Sequence, residues 1–560
     1  MRPKQFVFGR TIYFDSIYMT NSNNDHQSDT STADSMLGRI KKSVYKPDYL
    51  LLFILLAYFC LGYLLMPYYK YDLTADGVSY ISIAQKYLNG NYSEAVNTYW
   101  SPLFSWLLVP FLPLSESPLI SVRLLSLAIG FITLLSIRRL ASRFSLSALA
   151  KHGLTIGLLP VILYGSLAMI TPDLLMLCIL ALYLSVMFDM DYRRDKSKGR
   201  VCGVLGALAY LTKSYGFPFF IVHFIVFNVI HYYQGTATSE KQVVLKNLAS
   251  GLIIFLLISG SWIFVISSKY NHFTISTSGS YNLALMARDS SLPELHLQLI
   301  EPANSNATSV WEEPSRAPVG TWNPLASMSA FKFYAKRVLT NIRRTYFYAM
   351  ANSLFLNSII LFTVLFCLQF KRSRKADPLL FCVVTAIIYS SGYILIFVMP
   401  RYLWIVFTLF TIVGYYYIDL LNRKGVLGKT STTAMLFVFC LSCFIPQAYR
   451  LTKFRKAGQD VFVLSEKIDS NYGISGKVAS DYFWKKMLYL AFHNNYTYFG
   501  RTGSYLSDDK LQQTLRAHNI DYYFVWVDSL YNPAGFLSKQ KEITGGEIKD
   551  LRIFDMKYPR

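Results

Sequence analysis

Eleven runs of apolar residues impose the first constraint on this chain: 49–66, 119–137, 148–168, 173–189, 201–213, 216–233, 247–267, 352–370, 378–399, 402–420 and 431–447. Most approach the roughly 20 residues a helix needs to cross about 30 Å of hydrocarbon. Backbone polar groups inside a bilayer must find partners within the protein, and a helix provides them segment by segment. The expected fold class is a polytopic α-helical membrane protein of about 11 transmembrane helices. Composition agrees. The 560 residues are 53% hydrophobic and only 16% charged, against about 25% charged in an ordinary soluble chain. A soluble globular enzyme and a disordered chain are both excluded.

The formal net charge of +22 invites a nucleic-acid reading, but the cations sit in short connectors between the runs. One set of connectors holds Arg138, Arg139 and Arg143; Arg193, Arg194, Lys196, Lys198 and Arg200; Lys241 and Lys246; Lys371, Arg372, Arg374 and Lys375; and Arg423, Lys424 and Lys429. These alternate with connectors poor in positive charge: 67–118, 169–172, 214–215, 268–351 and 400–401. Under the positive-inside rule the N-terminus is expected in the cytoplasm and the C-terminus outside, in a multi-pass protein of the plasma (bacterial inner) membrane, with no nucleic-acid partner. Residues 1–48 are polar and read as a disordered cytoplasmic tail without a cleaved secretory signal. The seven Cys lie in or beside apolar runs and read as small hydrophobes rather than as a disulfide or metal framework.

The expected organisation is a tail over 1–48, a transmembrane domain over 49–447 with outer loops at 67–118 and 268–351, and an extracytoplasmic α/β domain over 448–560. Loops this long usually have a function, so the work is expected on the outer face. In the last domain, strands at Lys477–Ser480, Thr497–Phe499 and Asp521–Val527 alternate with helices over Asp481–Phe492 and Ser507–His518. That alternation predicts a partly parallel sheet. Lacking a Gly-rich phosphate loop, it reads as accessory.

The first outer loop carries Asp76 at the start of an amphipathic stretch with Tyr80, Ile83, Ala84, Tyr87 and Leu88 on one face, expected to lie as a juxtamembrane helix in the interface plane. Asp76 is either an N-terminal cap or a chemical group facing a cavity, and the two roles are compatible. Tyr99 and Trp100 read as interface anchors or substrate contacts. Thr171-Pro172-Asp173 is helix-start chemistry, with Thr171 as the cap, or else a second outer carboxylate. Lys213 and Arg401 are outer cations against the positive-inside trend. They either snorkel or hold a phosphate, and Arg123 is a candidate third member. His223, in mid-run, reads as a packed, hydrogen-bonded histidine. Asn91, Asn306 and Asn495 open N-glycosylation triplets.

Taken in order, Asp76-Gly-x-x-Tyr80, Trp100-Ser-Pro-Leu103, Arg123-Leu-Leu-Ser126, Thr171-Pro-Asp-Leu174, Leu208-Ala-Tyr-Leu-Thr-Lys-Ser214 and Pro400-Arg-Tyr-Leu403 resemble the C-type membrane glycosyltransferases. The branch is that of the protein O-mannosyltransferases and the bacterial aminoarabinose transferases of lipid A. The resemblance covers roughly residues 45–450. It implies sugar transfer from a polyprenyl-phosphate donor to a lipid, glycan or protein acceptor outside the cytoplasm. It also implies Asp76 and Asp173 as the outer carboxylates, and Lys213 and Arg401 as cations on the phosphate side. Tyr80, Trp100 and Arg123 complete the expected substrate-binding set. The chain departs from the mannosyltransferases in one respect: a paired Asp-Glu is replaced by Asp76-Gly77. No cofactor is assigned; two carboxylates suit a divalent cation, but no spacing demonstrates one. A transporter or flippase for a lipid-linked sugar is the alternative, with the same cations on the same phosphate. It is disfavoured by the lack of internal repeats and of mid-span charge.

Overall fold

The computed structural model describes residues 48–286, 298–316, 322–369, 378–502, 507–526 and 535–557. The chain divides into two units between Tyr49 and Leu50; the first, with the expected cytoplasmic tail, lies almost wholly outside the described residues.

Each of the eleven apolar runs contains a helix. They are α1 (Tyr49–Tyr69), α4 (Pro118–Ala141), α5 (Ala148–Leu167), α6 (Asp173–Met187), α7 (Lys198–Thr212), α8 (Gly216–Gln234), α9 (Thr238–Tyr270), α12 (Leu356–Gln369), α13 (Pro378–Leu395), α14 (Trp404–Arg423) and α15 (Lys429–Lys453). Between them lie α2 (Ala75–Leu88), α3 (Leu103–Leu108), α10 (Ser278–Met286) and α11 (Met328–Met350). Eight helical segments among the described residues are long and apolar enough to cross a bilayer, while α6 and most of α12 are shorter apolar helices. The protein is a multi-pass membrane protein.

Helix α14 is central: 83% of its most apolar window is buried, against α5, α6, α12, α13 and α15. Helix α1 is peripheral and shows Leu52, Phe53, Leu56 and Leu64 outward, as a lipid-facing helix must. Helices α7 and α9 approach most closely through Gly199, Gly203 and Gly251. A Cβ on Gly203 would collide with the carbonyl of Gly251, and one on Gly199 with the backbone of Asn247. This is small-residue packing of the kind that holds helices together where hydrophobicity cannot. His223 is buried and hydrogen-bonded by Tyr183 (2.8 Å) and Thr385 (2.9 Å).

The C-terminal part forms a small sheet domain. Strands β1 (Lys477–Ser480), β2 (Thr497–Arg501), β3 (Tyr522–Trp526), β4 (Lys541–Glu542) and β5 (Leu551–Asp555) order as β2-β1-β3-β5-β4. The β1–β2 and β1–β3 pairs are parallel, and β5 runs antiparallel to both its neighbours. Helices α17 (Trp484–His493) and α18 (Asp508–Ala517) connect the parallel strands, and α16 (Gln459–Tyr472) precedes them. Val527, at the end of the expected third strand, lies outside the described residues. Sequence reading found β1, β2 and β3 but missed α16, β4 and β5.

Helix α2 is buried on more than the one face its amphipathic pattern marks: Gly77 through Ala84, and Lys86, are all buried. It is roofed by residues 299–316 of the second long loop and by the C-terminal sheet domain. The amphipathic pattern could not show a cover arriving from more than two hundred residues away.

Candidate functional site

Four side chains from separate stretches of chain meet at one end of the helix bundle. Asp76 is in the first turn of α2, whose N-cap Thr74 accepts from the Gly77 N–H (3.0 Å) and donates to the Ile170 carbonyl (3.2 Å). Asp173 is the first residue of α6. Pro172, not Thr171, takes the cap position there, so the expected Thr cap is corrected. Lys213 is the extended residue that ends α7. Arg401 sits in the 3-10 turn Pro400–Leu403 that leads into α14.

Arg401 bridges the two carboxylates, with Nη2 2.9 Å from Asp76 Oδ2 and Nε 2.9 Å from Asp173 Oδ2. Lys213 Nζ lies 2.6 Å from Asp173 Oδ1 and 3.8 Å from the centre of the Tyr402 ring, a cation–π contact. The carboxylates are unequal. Asp173 is 3% exposed, with both oxygens on cations. Asp76 is 25% exposed, and among the described residues only Arg401 hydrogen-bonds its carboxylate. Asp76 is therefore the more open of the two carboxylates. Among the described residues no three His, Cys, Asp or Glu side chains gather to hold a metal ion; a guanidinium joins the two carboxylates instead.

Gly77 explains the departure from the paired acids of the mannosyltransferases. A Cβ at this position would lie 2.7 Å from Ile170 Cβ, so any side chain would push α2 away from the turn that carries Asp173.

Of the remaining expected residues, Tyr80 lies one turn beyond Asp76 and is buried edge-on to Trp100 (5.1 Å) and Phe104 (5.5 Å). Burial first, then the charges of Asp76 and Asp173, push its hydroxyl well above the ordinary tyrosine range. Trp100 is no interface anchor: it is 7% exposed, and its Nε1 donates to the Trp311 carbonyl (3.0 Å). Arg123 stands apart from the four. It is fully buried, and its Nη2 donates to the backbone carbonyls of Tyr69 and Asp72, holding the turn between α1 and α2.

Sequence reasoning missed what fixes α2 in place. Glu312, in the second long loop, is buried and accepts from Ser82 Oγ (2.7 Å), Lys86 Nζ (2.6 Å) and the Thr308 N–H (2.6 Å). Its own carbonyl takes Asn97 Nδ2 (2.5 Å). The same loop extends the edge of β2, with Ile300 N–H to Phe499 O and Tyr498 N–H to Thr308 O, each 2.8 Å. Helix α17 packs against α2. Burial, then the charges of Asp72 and Asp76, raise the hydroxyl pKa of its Tyr489. The one available signal was Lys86, the single cation on a helix whose other polar side chains, tyrosines apart, are Asp76, Ser79, Ser82 and Gln85.

Comparison with known proteins gives the geometry a context. The model of the dolichyl-phosphate-mannose-protein mannosyltransferase family matches residues 100–264. Among curated proteins no sequence relative matches. The fold is similar to that of ArnT from Cupriavidus metallidurans bound to undecaprenyl phosphate, with a TM-score of 0.54 at 11% identity over 90% of this chain and 97% of that one. It is similar to the apo state of the same protein, with a TM-score of 0.51 at 12% identity over 89% and 97% of the two chains. It is also similar to the apo oligosaccharyltransferase of Archaeoglobus fulgidus, with a TM-score of 0.50 at 11% identity over 86% and 70%. The fold is thus shared with ArnT and with the archaeal oligosaccharyltransferase, and the family model covers the part of the chain over residues 100–264.

Proposed function

We propose that this protein is a glycosyltransferase that moves a sugar from a polyprenyl-phosphate donor to an acceptor on the extracytoplasmic side of the membrane, with inversion at the anomeric carbon. The observation that carries the reading is the convergence of Asp76, Asp173, Lys213 and Arg401, each 2.6–2.9 Å from a partner of opposite charge. Support also comes from the similar proteins: the matching family is that of the dolichyl-phosphate-mannose-protein mannosyltransferases, and ArnT of the same fold binds undecaprenyl phosphate.

The chemistry follows from the charges. The acceptor hydroxyl or amine attacks the anomeric carbon, and the bond from that carbon to the phosphate oxygen breaks. Asp76 takes the acceptor proton, a contribution of about 10²–10⁴-fold for general base catalysis. The departing phosphate keeps the bonding electron pair, and Lys213 and Arg401 stabilise its charge. Asp173 orients both cations, while Tyr80 and Trp100 shape the floor beneath the sugar. No step needs a covalent enzyme intermediate, which is why inversion is expected.

The test uses the full chain in membrane vesicles with a synthetic polyprenyl-phosphate sugar. Asp76→Asn is expected to abolish transfer while the protein stays in the membrane and still retains the carrier phosphate. Full activity of this variant, or a product of retained configuration, removes the proposed mechanism.

A further inference from the structure

Helix α11 belongs to the same end of the bundle as the charged cluster. Its buried Asn341 donates from Nδ2 to the carbonyls of Ile394 (2.9 Å) and Ile396 (3.2 Å), where α13 gives way to the segment that leads to Arg401. The rest of the helix is largely turned away from the protein. Its 23 residues include five cations, Lys332, Lys336, Arg337, Arg343 and Arg344, and no Asp or Glu.

At about 100° per residue, Met328, Leu339, Ile342 and Tyr346 fall in one stripe, exposed by 68, 66, 48 and 54%. Lys332, Lys336 and Arg343 run along one flank of that stripe. Among the described residues Lys332, Lys336 and Arg344 have no carboxylate partner. Whatever covers this surface must offer hydrocarbon and negative charge side by side along a single line. A bilayer containing acidic headgroups offers both, and an apolar stripe edged with basic residues is how a helix lies in such an interface.

The geometry points to α11 as a binding surface for anionic phospholipid, which docks the helix in the headgroup layer and braces the segment carrying Arg401. This surface stands independently of the sugar-transfer reading.

The experiment extracts the full-length protein from vesicles of mixed phosphatidylglycerol and phosphatidylcholine and measures the retained lipids by native mass spectrometry. The wild type is expected to enrich phosphatidylglycerol. Each basic residue at an acidic surface contributes up to about fivefold in binding. The combined variant Lys332→Gln, Lys336→Gln, Arg343→Gln, Arg344→Gln is expected to return the ratio to that of the vesicle. These side chains are exposed, so the variant retains its fold. A control, Lys510→Gln with Arg516→Gln on exposed positions of α18, is expected to keep the enrichment. No enrichment by the wild type, full enrichment by the fourfold variant, or equal loss in the control overturns the proposal. So does a self-association that the fourfold variant abolishes without any lipid preference, which would assign the surface to a second copy of the chain.

Discussion

Removing the Glu312 carboxylate tests whether the second long loop holds helix α2 in place. Glu312→Ala leaves the Lys86 ammonium without its partner at a side chain only 4% exposed, and it strips the acceptor from Ser82 Oγ and the Thr308 N–H. Breaking one member of a buried ion pair costs about 3–5 kcal/mol, because an uncompensated charge stays behind. The cost falls on the contact between loop and helix, so it should appear as local opening. Amides of Ala75–Leu88 should exchange with deuterium faster by roughly two to nearly four orders of magnitude, while those of α14 stay protected. Transfer should fall in kcat more than in KM, since Asp76 rides on the freed helix. Replacing both partners, Lys86→Met with Glu312→Gln, should recover most of the protection, because no charge is then stranded. Unchanged exchange in Glu312→Ala, or a double variant no better than the single one, refutes the reasoning.

Gly77→Ala should cost about 1–3 kcal/mol by overpacking against the Ile170 Cβ and should lower transfer; adding Ile170→Gly, which removes that Cβ, should restore transfer in part, and a single variant with normal melting and activity would refute the close-packing account. Asp72, between α1 and α2, has its carboxyl pushed up to about 7, by burial first and against the pull of Arg123. The unfolded carboxyl titrates near 3.9, so the folded chain binds this proton more tightly. Its contribution to stability is therefore full below about pH 4 and lost as pH rises through about 7. Thermal unfolding of the solubilised full chain should show this slope, and Asp72→Asn should flatten it; equal slopes in the two proteins would refute the assignment.

The helical membrane architecture was legible because each spanning run announces itself locally, as Tyr49–Tyr69 and Pro118–Ala141 do. The four clustered charges were legible for a related reason: Lys213 and Arg401 sit at helix ends where topology gives no use for a cation. Asp76 and Asp173 open helices beside them. The pairing itself was not written in the sequence, since Asp76 and Arg401 are 325 residues apart. Arg123 is of the same residue type as Arg401 and also stands near the start of its helix, yet it serves the backbone of Tyr69 and Asp72. The cover over Trp100 and α2 was not legible because it comes from Trp311 and Glu312, in a loop without periodicity. Strands β4 and β5 lack the run of β-branched and aromatic residues that marked Tyr522–Trp526, and their pairing rests on a partner already in place.

Arg401 holds two carboxylates with one guanidinium, and with Lys213 the quartet sums to zero charge. An anion at the proposed site would tip that balance toward negative and compete with Asp76 and Asp173 for the same donors. Any shift of that one guanidinium is therefore felt at two helix starts at once, those of α2 and α6, which lie almost a hundred residues apart in the chain.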